Sequence, residues 1–110
     1  MLIYKIVPRA EWEKVADAYA GSAHDRADGF IHFSTRAQLA ETLKRHYAGQ
    51  TSLLLLAVEA QSLGDTLKWE RAPKRGEDFP HLYAPLTKDK VLSTHALNRG
   101  TNGEFILPPE

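Results

Sequence analysis

Leu53-Leu54-Leu55-Leu56-Ala57-Val58 is a continuous apolar run bounded by the turn-forming Ser52 on one side and Glu59 on the other. Its reading decides the fold. It is far shorter than the roughly 20 residues that cross a bilayer. It shows no polar/apolar alternation, so it predicts a central strand buried on both faces. Such a strand needs partners beside it and cover above and below, and the rest of the chain must supply them.

On its N-terminal side, Leu2 to Val7 is β-rich and predicts an opening strand. Pro8 suits the first turn of a following helix, because its missing N–H is not needed there. Trp12, Val15, Ala16 and Tyr19 recur at i, i+3, i+4 and i+7, which predicts a helix stopped by Gly21. Ser22 to Asp28 is polar and reads as a loop. Gly29 to Phe33 reads as a short strand. Thr35 with Gln38 spells a capping box. It opens a helix with Leu39, Ala40, Leu43 and Tyr47 on its apolar side. Lys44, Arg45 and His46 fall in its last turn, where positive charge suits the dipole.

On the C-terminal side, Leu67 to Glu70 reads as a short strand and Arg71 to Asp78 as an exposed charged loop. Phe79 to Leu86 carries Pro80 and Pro85, which make it rigid and extended. Val91 to Leu97 and Glu104 to Leu107 read as two strands joined by a turn through Gly100 and Gly103. Early helices followed by a run of strands predict an α+β domain, spanning residues 1–110 as one unit.

Composition narrows the function classes. The chain has no cysteine, which excludes disulfides, thiolate metal sites and a cysteine nucleophile. Lys+Arg and Asp+Glu are 14 each, so general binding to a nucleic-acid backbone is not expected. The N-terminus lacks the pattern of a secretory signal, and a cytoplasmic location with no membrane association is expected. There is no G-x-G-x-x-G, P-loop, H-E-x-x-H or G-x-S-x-G motif. No residue set shows metal-ligand spacing, so no metal is expected.

Three segments carry the candidate chemistry. Gly29-Phe30-Ile31-His32-Phe33-Ser34 places His32 late in a strand, beside Ser34 and just before a helix start. Backbone N–H groups there attract anions. The alternative is a half-buried histidine bonded to a backbone carbonyl. Phe79-Pro80-His81-Leu82-Tyr83 puts His81 and Tyr83 on one side of a stiff segment, and its aromatic rings with an imidazole suit stacking on a planar ligand. The alternative is an edge strand whose aromatics fill core gaps. Trp69-Glu70 sets a carboxylate beside an aromatic, a pair able to steady a cation or accept a proton. Otherwise it is a core Trp with a surface Glu. His46 reads as a dipole partner, and His24 and His95 as surface or rim residues.

Tyr4-Lys5-Ile6, Gly29-Phe30-Ile31-His32 with Ser34, Tyr47-Ala48-Gly49, Trp69-Glu70 and Phe79 to Leu86, in that order, resemble the DUF952 family of small bacterial proteins. The resemblance runs from Leu2 to about Asn98. It implies an ADP-ribosyltransferase-like fold of split β-sheets with two N-terminal helices. By the same resemblance the ligand is NAD or a related nucleotide, taken as a small-molecule substrate. His32-Phe33-Ser34 is similar to the His-x-Ser element with which such enzymes hold the adenosine ribose, although they often place a small residue where Phe33 stands. Those enzymes also carry a later aromatic and a catalytic Glu. Tyr83 and Glu70 are residues of those types in reversed order, and His81 has no counterpart. The resulting set is His32, His81 and Glu70 as catalytic candidates, with Phe33, Ser34, Trp69, Phe79 and Tyr83 as ligand-binding candidates. ADP-ribosyl transfer or NAD cleavage, a noncatalytic nucleotide-binding module, and a structural domain without ligand are the three functional readings.

Overall fold

In the computed structural model, which describes residues 1–109, the chain runs β1 (Leu2–Pro8), α1 (Arg9–Glu13), β2 (Ala18–Tyr19), α2 (Ala23–Asp28), β3 (Ile31–His32), β4 (Ser34–Thr35), α3 (Leu39–His46), β5 (Leu53–Glu59), β6 (Leu67–Ala72), β7 (Glu77–Leu82), β8 (Leu86–Thr87), β9 (Val91–Arg99) and β10 (Phe105–Ile106). This is the α+β architecture expected. Among the described residues no helix is long and apolar enough to cross a membrane.

Three antiparallel sheets form: five strands in the order β10-β9-β5-β1-β4, three in the order β3-β7-β6, and the pair β2-β8. β5 sits in the middle of the largest sheet, between β1 and β9, as the Leu53–Val58 run requires. Alternate residues serve two separate cores. Leu54, Leu56 and Val58 join Ile3, Val7, Phe33, Leu82 and Leu86 on one face. Leu53, Leu55 and Ala57 join Tyr4, Ile6 and Leu97 on the other, where α3 lays down Leu39 and Leu43. Each fully buried Leu contributes about 1.5–3 kcal/mol relative to exposure.

Two sequence expectations give way to tertiary pairing. The helix expected through Tyr19 stops at Glu13, and Ala18–Tyr19 becomes β2, paired with Leu86–Thr87 of β8. Tyr19 is thereby buried in the core, and its hydroxyl donates to Glu11 at 2.9 Å. Conversely, the Ser22–Asp28 loop is helix α2 from Ala23 onward. Ser22 is its N-cap, Asp25 completes a reciprocal capping box, and Gly29 at φ 86° closes it in the left-handed region that glycine adopts freely. The loop expected over Arg71–Asp78 shrinks to a hairpin turn between Ala72 and Glu77. β7 is also no edge strand, because it lies between β3 and β6.

The site arises from one crossing. β3 pairs with β7 through Ile31↔Leu82 and His32↔His81, while β4 pairs with β1 through Ile3↔Thr35 and Tyr4↔Ser34. Phe33 is the corner at which the strand passes from one sheet to the other, its N–H donating to the Pro80 carbonyl at 3.0 Å. Since β4 covers only Ile3 and Tyr4, the edge of β1 beyond it is left open. Lys5, Ile6 and Pro8 border a cleft there.

Candidate functional site

Asp25 organises one wall of this cleft. As the third residue of α2 its carboxylate turns back to accept the Ser22 N–H at 2.9 Å. The same carboxylate accepts Lys5 Nζ at 2.8 Å, the His32 backbone N–H at 3.2 Å, and lies 2.5 Å from His32 Nδ1. Four donors thus converge on a side chain that is 2% exposed. Burial alone would raise its pKa. The hydrogen bond from His32 and the Lys5 ammonium outweigh that and hold Asp25 well below the usual carboxylate range. Lys5 is pulled below its ordinary value by burial, against the opposing pull of Asp25. Gly21 allows this packing: a Cβ there would lie 2.8 Å from the Asp25 Cβ.

Asp25 therefore fixes the ring of His32. The opposite ring nitrogen, Nε2, lies 2.9 Å from Asp28 Oδ2, and the His24 ring stacks on His32 with centroids 4.7 Å apart. Directly across the β3–β7 pairing stands His81. Its Nδ1 lies 2.7 Å from Glu70 Oε1, which also accepts the Tyr83 hydroxyl at 2.7 Å. The β6–β7 register explains the reach: Glu70 faces Phe79, so it is the diagonal neighbour of His81 on the same face. The Tyr83 hydrogen bond, then that of His81, keeps the Glu70 carboxyl below its ordinary value, and the Glu70 hydrogen bond raises Tyr83. Phe30 is wedged among these rings, 4.0 Å from His81, 4.6 Å from His32 and 5.3 Å from Tyr83. The two histidine rings meet edge to face with centroids 5.5 Å apart.

His32 and His81 both line one cleft of about 540 Å³. A volume of this size accommodates a small organic ligand. Arg75 and His46 also line the cleft. Arg75 leaves the β6–β7 turn, lies over the Phe79 ring at 4.6 Å and donates to Thr42 Oγ1 at 3.1 Å. Its Nε is 3.0 Å from Glu41 Oε2 but off the N–H direction, so the contact is ionic and that N–H has no acceptor. For His46, burial first, then the charges of Arg75, His24, Arg45 and His32, holds the pKa below the ordinary histidine value. Tyr47, also at the cleft, is pushed up to about 12 by burial and then by Asp25 and Glu11.

Of the sequence candidates, His32, His81, Phe33, Ser34 and Phe79 border the cleft. Phe33 does so as a core residue, 1% exposed. Glu70 and Tyr83 stand behind and beside His81. Trp69 is the exception. It faces Pro80 on the opposite side of β6 from Glu70 and is half-exposed. Lys5, His24, Asp25, His46 and Arg75 were not singled out as site residues. The Ser22-x-x-Asp25 spelling was the available signal for Asp25; nothing local marks Arg75, which reaches the cleft by the hairpin turn.

Residues 6–94 match the family described as "Protein of unknown function (DUF952)", and the chain belongs to that family. Among curated proteins nothing matches it. It is similar to the crystal structure of protein CC0527 from Caulobacter crescentus, with 46% identity, 96% of this chain and 94% of that chain covered, and a TM-score of 0.89. The solution NMR structure of CC0527 agrees, at 48% identity over 94% of this chain and 90% of that one, with a TM-score of 0.83.

Proposed function

We propose that this DUF952 protein binds a nucleotide-like anionic ligand in the His32–His81 cleft, with NAD or another ADP-ribosyl compound as the substrate class. One observation carries the reading: two histidines in register on paired strands, each held by its own carboxylate, open on a single cleft that Arg75 also lines. Arg75 and His46 suit a phosphate, since a guanidinium offers a planar fork of donors. Tyr47 and the rim of Phe79, which line the cleft, supply apolar surface for a base or nicotinamide. Ser34 takes a ribose hydroxyl, and in the metal-free protein His32 Nε2 takes another by exchanging its contact with Asp28.

In this reading His81 is the acid–base group. Its Nδ1 is turned toward Glu70, and its Nε2 has no hydrogen bond to any described residue. A histidine held in one orientation by a carboxylate is prepared to move a proton at the other nitrogen. Glu70 acts through His81 and is a positioning residue. Two sheets meeting at one cleft are in keeping with the split architecture that the resemblance to ADP-ribosyltransferases implies, and that finer fold assignment is part of the proposal.

The test is incubation with NAD, following released nicotinamide, alongside titrations with ADP-ribose and AMP in EDTA. Nicotinamide release that is lost in His81→Ala supports catalysis. Binding without turnover reduces the function to a binding module. No binding of any nucleotide overturns the proposal.

A further inference from the structure

We propose that His24, Asp28 and His32 form a binding site for a zinc-class divalent cation at the mouth of the cleft. His24 and Asp28 are four residues apart on α2, so one helical face presents both. Gly29 then turns the chain, and β3 brings His32 back against that face. The three donor atoms lie within 4.8 Å of one another. A tetrahedral zinc with bonds of about 2.0–2.1 Å sets its ligand atoms about 3.3 Å apart. The His32 Nε2–Asp28 Oδ2 separation of 2.9 Å and the His24 Nε2–Asp28 Oδ2 separation of 3.5 Å bracket that value. The side chain of His24 is 75% exposed, so it can rotate out of its stack on His32 and close the third side at little cost.

The hydrogen bonding of His32 points the same way. Its Nδ1 lies against Asp25, and its Nε2 is aimed at Asp28 Oδ2 2.9 Å away, the edge that a metal ion would share. Asp25 is moreover the partner that metal-bound histidines usually have, a carboxylate on the far ring nitrogen that fixes tautomer and orientation. Two imidazoles and one carboxylate suit zinc, copper or nickel better than magnesium or calcium. Three protein ligands leave a position free for water or substrate. His24 and His32 line the cleft, so the site borders it. The expectation of no metal considers His32 and His81 with a carboxylate and finds no ligand spacing; here the spacing is His-x₃-Asp-x₃-His across a helix and the next strand.

The site shares His32 with the proposed nucleotide cleft, so it is tested with metal alone. The full chain, stripped with EDTA and exchanged into buffer, is titrated with Co(II) and read by visible d–d absorption, then back-titrated with Zn(II). The expected result is one equivalent of four-coordinate Co(II), displaced by zinc. His24→Ala and Asp28→Asn, both exposed and away from the core, should each weaken binding at least about tenfold with an unchanged far-UV spectrum. Ring ¹⁵N shifts should place the metal on Nε2 of His32. Absent Co(II) binding, or binding that both variants leave intact, overturns the metal site. Nucleotide binding measured in EDTA is untouched by that outcome, so the two proposals fail separately.

Discussion

Replacing Asp25 by Asn probes the framework on which the cleft is built. The Lys5 and Asp25 side chains are 4% and 2% exposed, so the Lys5 ammonium has no water to fall back on. Breaking a buried pair by removing one charge costs about 3–5 kcal/mol, because the other is left uncompensated. An amide fits poorly in any case. Four donors point at Asp25, and only one amide atom can accept. Disrupting the Ser22 capping box adds about 0.5–2 kcal/mol. Against a typical total of about 5–15 kcal/mol, the variant should retain only part of its stability. Urea denaturation, read by tryptophan fluorescence, measures the loss. The decisive comparison is Lys5→Met in both backgrounds. The double variant should be more stable than the sum of the single costs predicts, with a coupling of about 1–3 kcal/mol. Additive costs, or a cost below about 1 kcal/mol for Asp25→Asn, would refute the reasoning, since an unpaired buried ammonium cannot be that cheap.

Three further outcomes follow from the geometry. Gly21→Ala places a Cβ 2.8 Å from that of Asp25 at φ 105°, whereas Gly29→Ala at φ 86° meets nothing within 4 Å; the urea midpoint should fall further for the first than for the second, which carries only the left-handed penalty of about 1–2 kcal/mol. Glu70→Ala removes the hydrogen bond that chiefly raises Tyr83, and the carboxylate charge with it, so ultraviolet titration should show one tyrosine ionising closer to the ordinary value of about 10. His46 is held low by burial and by surrounding cations, and an anion bound among them should raise it. Binding then takes up a proton, so affinity should strengthen as pH falls through the window around and below about 6.5; calorimetry in buffers of different ionisation enthalpy reads the uptake.

The central strand was legible because burial on both faces leaves an apolar run without alternation, and Leu53–Val58 is one. The paired histidines were half legible. Strand spacing places His81 with Tyr83, but the register that sets it against His32 comes from a strand changing sheets at Phe33, which no local pattern encodes. Helix α2 was hidden because it is short and its one buried residue is the charged Asp25, so an apolar periodicity passes over it. Its capping box and Gly29 were spelled out and would have found it. The expected helix beyond Glu13 failed for the opposite reason: Tyr19 had the right spacing, but pairing with Leu86 buries it better in a strand. Arg75 reads as one more charge in a charged stretch, and only the hairpin turn brings it over Phe79.

The account rests on His32 and His81 serving one ligand. The direct measurement is a titration of the full chain with ADP-ribose in EDTA, followed at the ring resonances of both histidines by NMR. Both rings should shift along a single saturation curve, and His81→Ala should weaken the curve seen at His32. Rings that respond independently, or stay still with every nucleotide, would contradict a shared site.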